Sequence, residues 1–115
     1  MDKFEIRVAK GSSGASILHL SGPVTLNTLF ELQDAVRKEQ EGGLIIVLAD
    51  VPYMDSAGLG AILSAFASCQ RHARKFAIAS VSERVMALLK VTKVDSLVPR
   101  YETAEAAEAD WAVKA

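Results

Sequence analysis

Leu44 to Ala49 (LIIVLA) is a run without one polar side chain, and it stops at Asp50. A strand with one face in water alternates apolar and polar residues; this run does not, so both of its faces are expected to be covered. A central strand flanked by helices, or by a helix and loops, meets that demand. A short turn with Pro52 follows, and then Met54 to Leu63 (MDSAGLGAIL). From Ala57 onward, Leu59, Ile62, Leu63 and Phe66 fall at i, i+3, i+4 and i+7, which predicts a helix from about Ala57 to Arg71. Ser56 therefore sits where a strand has ended and a helix begins, in front of backbone N–H groups that lack intrahelical partners. A negative charge is well held at such a place.

The flanking segments extend the pattern. Phe4, Ile6 and Val8 alternate with Glu5 and Arg7, the period of a half-buried strand, and Ala15 to Leu20 (ASILHL) reads as a second strand. The Gly/Ser link KGSSG between them makes an antiparallel hairpin the simplest arrangement. Ser21-Gly22-Pro23 breaks the second strand. A helix is expected from about Leu26, with Thr25 as N-cap, Leu29, Leu32 and Val36 on one face, and Gly42 and Gly43 as the stop. The second helix ends in RHARK (Arg71 to Lys75), whose cations complement a helix C-terminus. Phe76 to Ala79 reads as a strand. Ser82 is placed to cap a helix bearing Val85, Leu88 and Leu89, and Val98 to Tyr101 as a short strand. Thr103 caps a closing helix from Ala104 to about Ala112. The fold class expected is α/β: one domain over residues 1–115, with a mixed, mostly parallel sheet of four to five strands and about four helices.

The composition is that of a globular protein, with half of the residues apolar and 23% charged. A net charge of −1 gives no reason to expect nucleic acid as a partner. The single cysteine, Cys69, excludes an internal disulfide, fits a cytoplasmic location and is expected in the core. No signal-peptide pattern opens the chain, and the least polar stretch, Ala57 to Cys69, is too short to insert in a membrane.

The parts for an enzyme are missing. His19 and His72 have no Cys or carboxylate neighbours at metal-ligand spacing, so neither a metal nor a cofactor is expected. Gly58-Leu59-Gly60 begins like a dinucleotide fingerprint, but Leu63 stands where the third small residue belongs. Ser56-Ala57-Gly58 is half of a nucleophile elbow, with Met54 where the first glycine should be and only His72 downstream. No catalytic residue is assigned, and the chain is expected to be a non-enzyme.

Asp55 and Ser56 have an ordinary explanation as helix caps, worth about 1 kcal/mol. Two features ask for more. Gly58 and Gly60 each cost about 1 kcal/mol relative to alanine in a helix, so a neighbouring element or a partner is expected to approach the backbone there. The face opposite the apolar stripe holds Ala57, Ala61, Ser64 and Ser68, with Gly60 at its flank. Exposed helix faces are normally charged; this one is small and uncharged, hence buried by another element or offered to a partner. A phosphate on Ser56 would bring about −1.5 to −2 charges. The helix N-terminus would tolerate it, while a partner docked on that face would meet a desolvated dianion. That is the logic of a switch.

These residues resemble the signature of STAS domains, in particular the bacterial anti-sigma factor antagonists. The similarity covers Leu20 to Gly22 (LSG), Leu44 to Gly60 (LIIVLADVPYMDSAGLG), Phe76 to Ser80 (FAIAS), Ser82 to Pro99 (SERVMALLKVTKVDSLVP) and the closing helix, in family order. The resemblance implies a STAS-like fold and a phosphorylation-switched binding module. It makes Ser56 the phosphoacceptor, modified by a partner that is both anti-sigma factor and ATP-binding serine kinase. It also implies a serine phosphatase that restores Ser56, and an unphosphorylated form that binds the anti-sigma factor so that the sigma factor is released. Thr25, Asp55, Ser56, Ala57, Gly58, Gly60, Ala61, Ser64 and Ser68 are then the expected partner-binding positions. The chain departs from the family at one place: Gly22-Pro23-Val24-Thr25 stands where many antagonists read Gly-Glu-Leu-Asp, so Thr25 replaces an acidic residue. A second reading is a STAS subunit bound to the ATPase of an ABC-type transporter. A third, a small-molecule or nucleotide binder, follows only from the helix N-terminus as an anion site.

Overall fold

A computed structural model describes residues 3–114. The elements run β1 (Glu5–Lys10), β2 (Ser16–Ser21), α1 (Leu29–Lys38), β3 (Leu44–Asp50), α2 (Ser56–Arg71), β4 (Phe76–Ala79), α3 (Glu83–Val91), β5 (Arg100–Tyr101) and α4 (Ala104–Lys114). The five strands form one sheet in the order β1-β2-β3-β4-β5. The β1–β2 hairpin is antiparallel and every later pairing is parallel. This is the mixed, mostly parallel α/β sheet with four helices that the alternation of patterns implied.

LIIVLA is the middle strand, and it divides its side chains between the two faces with period two. Leu44, Ile46 and Leu48 join Leu18, Leu20, Phe76 and Ile78 in a core covered by α1, α2 and α3, through Leu32, Leu59, Ile62, Val85 and Leu89. Ile45 and Val47 point the other way, into a smaller cluster with Ile17, Ala77 and Ala79, covered by Ala104, Ala107 and Trp111 of α4. Cys69 is buried in the first core.

Several boundaries differ from the sequence reading. The first helix begins at Leu29 rather than Leu26, and Thr25 is not its cap. The Thr28 hydroxyl instead accepts from the Thr25 N–H (2.9 Å) and donates to the Pro23 carbonyl (2.9 Å), closing a turn before the helix starts. That helix ends at Lys38, ahead of both glycines. Gly42 adopts φ +73° in the turn that follows, a conformation natural to glycine. Gly43 serves packing: a Cβ there would come 2.7 Å from the Trp111 ring. Arg74, expected to serve its own helix terminus, donates instead to the carbonyls of Glu39 and Gly42 beyond the end of α1. The fifth strand spans only Arg100 and Tyr101; Val98 is buried but lies outside the ladder. Val8, expected on the buried side of β1, is 47% exposed, because β1 is an edge strand.

Candidate functional site

The N-terminal ends of α1 and α2 meet through Asp55. Its Oδ1 accepts from the Gly58 N–H (2.8 Å), the N-cap bond of α2, and its Oδ2 accepts from the Leu26 N–H (3.1 Å) in the loop before α1. One carboxylate thus ties a helix terminus to a loop 29 residues earlier. The Gly58 N–H, more than any other group, holds the Asp55 carboxyl below its ordinary range; partial burial opposes the shift, and the Leu26 N–H adds to it.

The same loop is stitched to the turn before α2 by backbone. Val24 forms a parallel bridge with Met54, its N–H donating to the Tyr53 carbonyl (3.2 Å) and its carbonyl accepting from the Asp55 N–H (3.2 Å). This approach accounts for Gly58, since a Cβ there would lie well inside van der Waals distance of the Val24 carbonyl. Gly58 is buried by its own chain. Gly60 is different: it is exposed, and a Cβ on it would meet nothing within 4 Å.

Ser56 is the first residue of α2 and is exposed. Its hydroxyl makes no hydrogen bond among the described residues; the capping is done by Asp55. Ala57 is half-buried and Ser64 exposed. Thr25 is half-buried, with its hydroxyl accepting from the Asn27 N–H (3.2 Å). Two positions do not belong to an open surface. Ala61 is 6% exposed, and Ala61 and half-buried Ser68 both line a cleft against α1. The small uncharged face of α2 is therefore divided: Gly60 and Ser64 are exposed, while Ala61 and Ser68 face α1 across the cleft. Gly58 and Ala61 shape the site from beneath and do not offer side chains to a partner.

The sequence reading missed three large apolar residues. Leu26 is 64% exposed, Phe30 75% and Tyr53 44%. Leu26 carries the N–H bonded to Asp55, Tyr53 precedes Met54 in the turn leading to Ser56, and Phe30 lies in the first turn of α1. Helical phase could have flagged Phe30: it follows Leu29 and falls off the Leu29/Leu32/Val36 face. Leu26 was hidden by its assignment to a helix that starts three residues later.

Among the described residues no group of His, Cys, Asp and Glu is arranged to hold a metal ion, and no helix is long and apolar enough to cross a membrane.

Comparison with known proteins adds a family to this geometry. The chain is 26% identical over 93 residues, 77% of its length and 80% of the relative's, to an anti-sigma F factor antagonist of Paenibacillus polymyxa. Its fold superposes on an anti-sigma factor antagonist from Mycobacterium paratuberculosis with a TM-score of 0.83 at 19% identity, covering 94% of this chain and 93% of that one. A similar match, TM-score 0.67 at 17% identity over 96% and 98% of the two chains, is the anti-sigma factor antagonist SpoIIAA in its unphosphorylated form. The STAS domain family matches residues 7–107, from within β1 to the first turn of α4, and the chain belongs to that family.

Proposed function

We propose that this protein is an anti-sigma factor antagonist, docking to its anti-sigma factor through the N-terminal ends of α1 and α2 and switched by phosphorylation of Ser56. The observation that carries the reading is the state of Ser56. Its hydroxyl is exposed and has no structural task, because Asp55 performs the capping. Leu26 in the loop bonded to Asp55, Phe30 in the first turn of α1 and Tyr53 in the turn leading to Ser56 are exposed, apolar surface that water wets at a cost of about 25 cal/mol per Å2 and that a partner would cover. A phosphate on Ser56 leaves the Asp55 bonds in place and puts a dianion within the surface to be desolvated. The relatives named as anti-sigma factor antagonists, one of them solved in an unphosphorylated form, support the same reading.

On this reading the partner is an anti-sigma factor with an ATP-binding serine kinase fold, a serine phosphatase reverses the modification, and the chain acts in the cytoplasm without catalysis of its own. Thr25, where many antagonists carry an acid, brings no charge to the loop that bonds to Asp55. The test is a comparison of wild-type, Ser56→Ala and Ser56→Asp proteins as baits in the native lysate with ATP, with intact mass read in parallel. Wild type should gain one phosphate. Ser56→Ala should retain a kinase-fold anti-sigma factor, and Ser56→Asp should lose it while melting like the wild type. An unmodified Ser56 together with equal capture by Ser56→Asp would refute the switch, and a transporter ATPase on the beads would replace the anti-sigma partner.

A further inference from the structure

Away from Ser56, α1 and α2 flank a half-open cleft of about 440 Å3, a volume typical of small-molecule sites. Its floor is Val36, Ala61, Ala65 and Cys69, side chains too small to fill the space between the helices. Gln33, Gln40, Ser64 and Ser68 also line it. The remaining lining residues are Arg37, His72 and Arg74, and no carboxylate is among them.

The cations are held in different ways. Arg74 is fixed by two backbone carbonyls, Nε to Gly42 (2.7 Å) and Nη2 to Glu39 (2.7 Å). It forms no ion pair with a carboxylate among the described residues. Its side-chain freedom is already lost while its charge is not neutralised by an anion, the condition for a preorganised contact. That charge is felt at the floor: burial pushes the Cys69 thiol up, and Arg74 opposes the rise. Arg37 pairs with Asp34, but Asp34 also pairs with Lys38 (3.1 Å), so one carboxylate is shared by two cations. His72 Nδ1 lies 2.8 Å from the Ser68 carbonyl, an acceptor, which assigns the ring proton to Nδ1.

A neutral apolar ligand would use the floor and leave Arg37 and Arg74 unanswered; an inorganic anion would use the cations and leave the floor in water. We infer that the α1–α2 cleft binds a small amphipathic anion, a medium-chain carboxylate, with its chain along Val36, Ala61 and Ala65 and its head group between Arg37 and Arg74. The inference is independent of phosphorylation at Ser56.

The test is a titration of the 15N-labelled protein with decanoate, with decan-1-ol as the uncharged probe. Saturable amide shifts are expected at Gln33, Ser64 and Ser68, and decan-1-ol should bind about fivefold more weakly, the size of a single surface charge contact. Arg37→Glu should weaken decanoate by about the same factor or more. Ser68→Leu, which fills the cleft, should abolish binding, its dispersed spectrum establishing that it folds. Three results overturn the inference: equal binding of decanoate and decan-1-ol, undiminished binding by Ser68→Leu, or decanoate shifts that do not saturate or that centre on Leu26 and Phe30.

Discussion

On the α4 face of the sheet, Trp111 is buried in a cluster with Ala15, Ala77 and Ala79 and reaches Gly43, where a side chain would collide with its ring. Glu108 closes the same side by accepting from the N–H and hydroxyl of Ser13 in the hairpin turn. At the N-terminal ends of α1 and α2 the opposite holds: Leu26, Phe30 and Tyr53 stand in solvent, and the exposed Ser56 hydroxyl has no hydrogen-bond partner among the described residues. Both regions are rich in small residues. In the first, smallness makes room for a large ring from the same chain; in the second, Gly58 makes room for Val24 while Gly60 faces open space. A small residue is informative about function only when nothing internal fills the space beside it.

Four substitutions sharpen that contrast. The largest effect is expected on the α4 face, where Trp111→Ala should cost about 3–5 kcal/mol in chemical denaturation, the usual loss for a buried large aromatic; a loss under about 1 kcal/mol would mean that α4 is not anchored by this ring. Next come the two glycines of α2. Gly58→Ala drives a methyl into the Val24 carbonyl and should destabilise by about 1–3 kcal/mol, the range for overpacking. Gly60→Ala meets open space and should stabilise by about 0.5–1 kcal/mol through helix propensity. Equal responses at the two positions would show that the Val24 approach does not constrain the helix.

An effect close in size to that of Gly60→Ala is expected at Asp55. Asp55→Ala should cost about 1 kcal/mol near neutral pH, the value of a lost N-cap. The folded chain holds this carboxyl below its ordinary range, chiefly through the Gly58 N–H. The resulting stability is complete above the unfolded-state value of about 3.9 and is lost as the pH falls through the lower folded value. The difference between wild type and Asp55→Ala should therefore narrow as the pH drops below about 4. A difference that grows under acid would reverse the assigned sign.

What could be read in advance was whatever depends on local repetition. The unbroken LIIVLA run required two covered faces, and Leu59, Ile62, Leu63 and Phe66 at helical spacing required a helix after Asp55, because burial of a periodic face is legible one element at a time. Asp55 as a cap followed from the same local chemistry. The start of α1 did not, since the Thr25–Thr28 turn and the Asp55 bond to Leu26 draw that loop out of the helix.

The amino-acid sequence by itself determined the order of strands and helices, the junction where Ser56 opens α2, and the family to which that junction points. Tertiary structure alone decided that Gly58 lies beneath Val24 while Gly60 faces solvent, that Ala61 turns toward α1, and that Leu26, Phe30 and Tyr53 remain uncovered. The physical reason is range. Periodicity and capping act within a few residues, whereas the neighbour that buries a side chain or leaves it bare arrives from tens of residues away, as Leu26 does at Asp55.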